Sequence, residues 1–248
     1  MPLLLLHERY TPDDTDIWRV GVRRGWITER VNRYSLKARL EGHTVVRYYG
    51  NLLHLDQIGD QLPITFYNTG LDILPSLRWV TKRSIGLMRF GELEQPLKQP
   101  TFVKPAYVKW FESKVYQPGE TITGTPEIND WIYTSDPVDY VDEVRCFCVF
   151  GRVLTSSLYR INRVLWDRSG LDEDKINFDE RVNDTPIPEY VNNIYKSTRA
   201  ARALVADFGR HPDGSWSLIE FNEPWASGLY FCNPDACFDC IVASQDSG

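Results

Sequence analysis

The chain has no excess of basic charge, no long apolar run, no internal repeat and no low-complexity segment. Each absence narrows the reading. At a net charge of −6, general electrostatic capture of nucleic acid is not expected. The leucine run Leu3–Leu6 is too short for a signal-peptide core or a membrane span, and a polar, acidic stretch follows it. A cytoplasmic protein without a membrane partner is therefore expected. Cysteine is sparse: of the five, Cys146 and Cys148 alternate on a candidate strand, while Cys232, Cys237 and Cys240 cluster near the C-terminus. Their spacing matches no standard zinc knuckle, so buried, reduced thiols are expected.

What is present is an ordinary globular composition, 42% hydrophobic and 25% charged over 248 residues. That is enough chain for one large domain or two smaller ones. Residues 14–40 mix Trp18, Trp26 and Tyr34 with many arginines and read as helical from Thr28 to Leu40. Thr44–Tyr49 reads as a strand ending at Gly50, Asn51–Gly59 as helix or loop, and Ile64–Tyr67 as another strand. Trp79–Leu87 continues an alternating α/β layer. Pro96 and Pro100 punctuate the chain, which puts the expected boundary at about residues 90–100. Beyond it come strands at Thr101–Pro105, Glu127–Tyr133, Glu143–Val149 and Arg152–Tyr159, then a polar loop over 166–185. A helix is expected over Ile187–Val205, with Pro188 near its start and Tyr190, Ile194, Ala201 and Leu204 at helical spacing.

The most informative stretch is the candidate hairpin Val205-Ala-Asp207-Phe-Gly209 and Trp216-Ser-Leu-Ile-Glu220-Phe-Asn222. Residues i and i+2 of a strand share a face, so Glu220 and Asn222 project together and a hairpin partner brings Asp207 beside them. For an isolated Glu-x-Asn, a solvated edge strand is the ordinary reading. Here the apolar strands, the turn His211–Gly214 and the flanking Leu218, Ile219 and Phe221 argue for a built site. Two carboxylates and an amide oxygen form a hard, all-oxygen set suited to Mg²⁺.

The ordered set Phe-Val-Lys104-Pro, Glu143-Val-Arg145-Cys-Phe, Gly-Arg-Val with Arg160, a helix, Val-Ala-Asp207 and Ile-Glu220-Phe-Asn222-Glu-Pro resembles the ATP-grasp fold. It is most similar to the clade named for two arginines and a lysine, whose members are predicted amide- or peptide-forming ligases. The resemblance spans about residues 100–244. It implies an α/β (α+β) architecture: an N-terminal α/β domain over 1–95 precedes an ATP-grasp domain over 96–248, with a small subdomain at about 96–135 and a C-terminal one at about 136–248, clamping ATP. It implies an ATP- and Mg²⁺-dependent carboxylate–amine ligase acting through an acyl phosphate on small-molecule or peptide substrates. An ATP-grasp phosphotransferase and a non-catalytic nucleotide-binding module are the alternatives.

By that resemblance Asp207, Glu220 and Asn222 hold Mg²⁺, with Glu220 bridging two ions. Lys104 contacts the phosphates as a mobile point charge. Arg145 and Arg160 face the reaction centre, where guanidinium suits an acyl phosphate or a carboxylate, and Glu143 orients Arg145. Either Arg163 or Arg168 is an alternative to Arg160. The connector around Ser135, Asp136 and Val138 reads the adenine edge through its backbone, and Phe102, Ile132 and Leu218 are candidate apolar walls. The segment Tyr107–Lys114, where many ATP-grasp enzymes carry a glycine-rich loop, has no glycine. The N-terminal Trp18, Arg19, Arg23, Arg24, Trp26, Arg30 and Arg33 line a substrate groove or form a solvated face.

Overall fold

A computed structural model of the chain describes residues 1–107, 109–165, 182–198 and 202–247. The chain divides into two compact units, one formed by Met1–Thr69 with Tyr140–Gly248 and the other by Gly70–Asp139. The division differs from a break at residues 90–100. That stretch joins two strands of one sheet inside the second unit.

The first unit opens with β1 (Leu3–His7), α1 (Pro12–Arg23), β2 (Ile27–Val31), α2 (Leu36–Leu40), β3 (Val46–Tyr49), α3 (Leu52–Ile58) and β4 (Ile64–Phe66). The first three strands form a parallel sheet in the order β2-β1-β3. Leu3–Leu6 sit in its central strand and are fully buried, because a central parallel strand is covered on both faces and needs a continuous apolar run. Helix α1 starts at a capping box: the Thr11 hydroxyl accepts the Asp14 N–H, the Asp14 carboxylate accepts the Thr11 N–H, and Pro12 follows the cap. The helix expected over Thr28–Leu40 is instead strand β2 followed by the short α2. Ile27, Thr28 and Val31 are β-branched, and pairing with β1 settles the segment as a strand.

The second unit holds α4 (Ile73–Ser76), α5 (Arg78–Thr81) and a four-stranded antiparallel sheet of β5 (Ile85–Arg89), β6 (Thr101–Pro105), β7 (Lys114–Tyr116) and β8 (Trp131–Ser135), in the order β5-β8-β6-β7. Val103, Ile132, Leu97, Phe111, Tyr116 and Ile122 form its core. The register pairs Lys104 with Tyr133 and Phe102 with Ser135, so these four share the opposite face. Ile132 therefore does not share a wall with Phe102, because it points into the core.

The chain then returns to the first unit with β9 (Asp142–Val149), β10 (Arg152–Ile161), β11 (Val164–Leu165), α6 (Ile187–Thr198), β12 (Ala203–Arg210), β13 (Trp216–Asn222), α7 (Pro234–Ala243) and β14 (Gln245–Ser247). The five-stranded antiparallel sheet runs β11-β10-β9-β12-β13, and β14 pairs with β4. Phe147 and Val205 of this sheet join Phe238 and Ile241 of α7 and the leucines of β1 in one core. The helix expected to reach Val205 is described only to Thr198. Leu204 and Val205 belong to β12, whose apolar run is buried on both faces between β9 and β13. Residues 166–181 of the loop expected over 166–185, with Arg168 among them, lie outside the described residues, as does Ala201 of the expected helix. All five cysteines are buried free thiols. No described helix is long and apolar enough to cross a membrane.

Candidate functional site

Cross-strand register assembles the site. Arg145 lies opposite Asp207 across β9–β12, and Asp207 lies opposite Glu220 across β12–β13. Directly opposite residues share a face, so the three form one row over three strands, with Asn222 two residues beyond Glu220 on the same face. A β-bulge between Asp207 and Phe208 leaves Ile219 as the extra residue beside Glu220. Bulges of this kind re-aim side chains near functional sites.

Within the row, Arg145 donates through Nε and Nη2 to the two oxygens of Asp207, at 2.9 and 2.7 Å. Its Nη1 donates to the Gly228 carbonyl at 3.0 Å. The Asn222 amide donates to Asp207 Oδ2 at 3.1 Å and to Glu220 Oε1 at 2.9 Å. Burial pushes the Asp207 carboxyl up, to about 6; Arg145 opposes that shift and Glu220 adds to it. Burial also works against the charge on Arg145, but Asp207 outweighs it and holds the guanidinium protonated. The site thus presses two carboxylates together beside a single buried cation.

Those contacts bear on whether the trio suits a divalent cation. Among the described residues no three His, Cys, Asp or Glu side chains are grouped to hold a metal. The set here is instead two carboxylates and an amide, all hard oxygen donors once the Asn222 amide is turned by 180°. That turn replaces the donor facing both carboxylates with an acceptor, which only a cation between them would favour. The like-charge pairing of Asp207 and Glu220 is the feature a cation relieves. The residues fit a hard cation.

Arg160 and Glu143 sit one step along the same sheet. A bulge between Leu158 and Arg160 sets both Tyr159 and Arg160 against Glu143. The Tyr159 hydroxyl donates to Glu143 Oε2 at 2.7 Å, and Arg160 Nη1 pairs with Oε1. Both oxygens of Glu143 are thereby engaged, so Glu143 orients Arg160 and Tyr159 rather than Arg145. Asp207 orients Arg145. Arg160 lies on β10, whereas Arg163 lies in the β10–β11 turn, where Asn162 and Arg163 take positive φ values of 49° and 66°.

The aromatic surround of Arg145 carried no sequence signal. Tyr159 and Tyr230 stack with ring centroids 4.6 Å apart, and the guanidinium lies 4.7 Å from the Tyr230 centroid.

In the second unit, Lys104 Nζ lies 5.7 Å from the Tyr133 ring centroid. The Tyr133 hydroxyl donates to the Leu71 carbonyl at 2.8 Å, and Ser135 Oγ donates to the Asp136 carbonyl at 3.1 Å. Ser135 closes β8, and Asp136 and Val138 follow it. Leu218, the third expected apolar wall, is fully buried in the first unit.

Comparison with known proteins follows the same lines. Residues 80–240 match a family model of the ATP-grasp domain, the second family of the clade named for two arginines and a lysine. No curated protein sequence matches the chain. Among solved structures, D-cycloserine synthetase DcsG superposes with a TM-score of 0.59 at 12% identity, covering 98% of this chain and 99% of that one. The macrocyclase MdnC from Microcystis aeruginosa MRC, bound with its precursor peptide MdnA, gives 0.54 at 10% identity and covers 98% and 100%. The D-alanine–D-alanine ligase from Bacillus anthracis complexed with ATP gives 0.50 at 11% identity and covers 98% and 96%. At such identities these likenesses establish the ATP-grasp fold.

Proposed function

This chain belongs to the ATP-grasp family, in the clade named for two arginines and a lysine, and from that premise we propose that it is an ATP-dependent ligase joining a carboxylate to an amine. The observation that carries the reading is the Arg145–Asp207–Glu220–Asn222 row, in which two carboxylates and an amide lie against a buried arginine. Solved structures of the same fold include a peptide-bound macrocyclase and an amino-acid ligase with ATP, which agree with a carboxylate and an amine as substrates.

In the proposed reaction a substrate carboxylate oxygen attacks the γ-phosphorus of ATP, ADP leaves, and an acyl phosphate forms. An amine nitrogen then attacks the acyl carbon, and phosphate departs as the nitrogen loses its proton. The protein's task is to position the groups and neutralise charge. Asp207, Glu220 and Asn222 are assigned to hold Mg²⁺. When bound, Mg²⁺ supplies positive charge against the phosphate oxygens. Arg145 commits three of its five N–H donors to Asp207 and Gly228, which fixes the plane of the guanidinium and leaves two N–H groups for a developing oxyanion. Because Asp207 is neutralised by Arg145, the net negative charge of the cation set rests on Glu220.

Arg145 and Arg160, the latter pinned by Glu143, are both assigned to the substrate carboxylate and the acyl phosphate formed from it. The Arg160 side chain is 38% exposed, whereas the Arg145 side chain, 9% exposed, meets substrate only through the N–H groups that Asp207 and Gly228 leave free. Lys104 is assigned to the nucleotide phosphates and the backbone at Ser135, Asp136 and Val138 to the adenine edge. Support for both comes from their shared sheet face and strand in the second unit.

The test is ADP release across a panel of amino acids and peptides, with mass detection of condensed product. ADP and phosphate appearing only with both a carboxylate and an amine support the ligase. Phosphate left on an acceptor makes it a phosphotransferase, and ATP binding without turnover makes it a binding module.

A further inference from the structure

The backbone at Tyr230 carries a feature that the proposed chemistry leaves unexplained. Its φ is +52°, in the left-handed region that a bulky residue rarely adopts and that glycine occupies without strain. The cause is the loop around it, which is fixed from several sides. Ser227 Oγ donates to the Glu223 carbonyl at 2.8 Å, and the Tyr49 hydroxyl donates to the Ser227 carbonyl at 2.9 Å. Arg145 holds the Gly228 carbonyl, and the Leu229 N–H donates to Asp13 at 2.9 Å. The Cys232 N–H closes the turn on the Leu229 carbonyl at 3.0 Å. Strain retained in an over-determined loop concentrates at ligand clamps and active sites.

The strained residue is also the one that meets the site. One face of the Tyr230 ring is covered by Tyr159, and the Arg145 guanidinium stands alongside it. The ring is partly exposed, and its hydroxyl makes no hydrogen bond to any described residue. Ring stacking and cation–π contact return stabilisation of the same order as the backbone strain.

We infer that Tyr230 is a specificity-determining residue that packs an apolar or aromatic group adjoining the substrate carboxylate held at Arg145. This rests on the ligase reading for the identity of the carboxylate site. It goes further in assigning the substrate class: a carboxylic acid, such as an amino acid or peptide C-terminus, with a flat or apolar substituent beside the carboxyl carbon. Arg145 would engage the carboxylate through its remaining N–H groups while the substituent lies on the exposed part of the ring.

The test compares wild type with Tyr230→Gly, which suits the backbone and removes the ring, and Tyr230→Phe, which keeps the ring and removes the hydroxyl. Binding of N-acetylphenylalanine and N-acetylglycine is measured by calorimetric titration in the presence of a non-hydrolysable ATP analogue and Mg²⁺. Turnover is measured separately, as hydroxamate formed when hydroxylamine serves as the amine. Wild type is expected to bind the phenylalanine derivative about tenfold more tightly than the glycine derivative, as one stacked aromatic contact provides. Tyr230→Gly is expected to erase that preference with ATP affinity unchanged, and Tyr230→Phe to retain it. In turnover the loss should appear in KM rather than kcat. Equal binding of the two acids to wild type, or a preference that survives in Tyr230→Gly, overturns the inference. Selective binding without hydroxamate overturns the ligase reading instead and leaves the packing role standing.

Discussion

Replacing Arg145 by methionine keeps the length and bulk of the side chain but strands a carboxylate inside the fold. Asp207 is 1% exposed and Arg145 8%, and two parallel N–H···O bonds join them. Removing one partner of such a pair leaves an uncompensated buried charge, which costs about 3–5 kcal/mol. In a chain of this size each kcal/mol moves the melting temperature by about 2–4 °C, so Arg145→Met should melt on the order of 10 °C lower. Without the guanidinium, the Asp207 carboxyl moves further above its usual range. A carboxyl raised in the folded state favours folding at low pH and disfavours it as pH rises. The penalty should therefore be smaller at pH 5 than at pH 8. Adding Asp207→Asn removes the stranded charge, and the double variant should recover at least half of the loss. Urea unfolding of the two single variants and the double variant, at both pH values, measures the coupling directly. A single-variant cost below about 1 kcal/mol, or strictly additive effects in the double variant, would refute the argument that this pair is a buried, mutually dependent unit.

Glu220→Gln should abolish Mg²⁺-dependent ADP release while leaving the circular dichroism spectrum and urea midpoint near wild type; full activity would remove the metal assignment. Lys104→Ala should weaken ATP binding about tenfold or more in titration calorimetry, as loss of a charged phosphate contact requires, and unchanged affinity would count against its role. His54 is buried against His7, with ring centroids 4.1 Å apart, and its Nδ1 lies 2.9 Å from the Tyr48 hydroxyl. Burial lowers its pKa from 6.5 to about 4. Between those values the unfolded chain binds a proton that folded His54 refuses, so the His54 contribution to stability should fall by up to about 3 kcal/mol as pH drops from 6.5 to 4. Because the raised carboxyls of Asp207 and Glu223 act in the opposite sense, the check is a difference: between pH 7 and 4.5 the urea midpoint of wild type should shift unfavourably relative to that of His54→Gln.

The hairpin was readable because period-two spacing puts Glu220 and Asn222 on one face, and strand pairing then fixes Asp207 opposite Glu220. Strands β6, β9, β10 and β13 were legible for the same reason, as short apolar alternations between turns. The partnership of Arg145 with Asp207 was not legible. It depends on the register of β9 against β12, and no local pattern encodes which residues of two distant strands lie opposite each other. The same holds for Glu143, whose two partners are set by a bulge at Tyr159. The start of α1 is encoded locally, as the capping pattern Thr11-Pro12-Asp13-Asp14. The ambiguity at Ala203–Val205 is intrinsic, since a short apolar run buried on both faces suits the end of a helix as well as a central strand. The unit boundary was misplaced because prolines mark loops inside a sheet as readily as linkers between units.

The central claim is that a substrate carboxylate is activated by phosphorylation before an amine displaces the phosphate. Once a substrate pair is identified, the carboxylate is labelled with ¹⁸O and the inorganic phosphate is examined by mass spectrometry. An acyl-phosphate route carries one carboxylate oxygen into phosphate for each amide bond formed. Phosphate free of label, with the label kept in the other product, would contradict it.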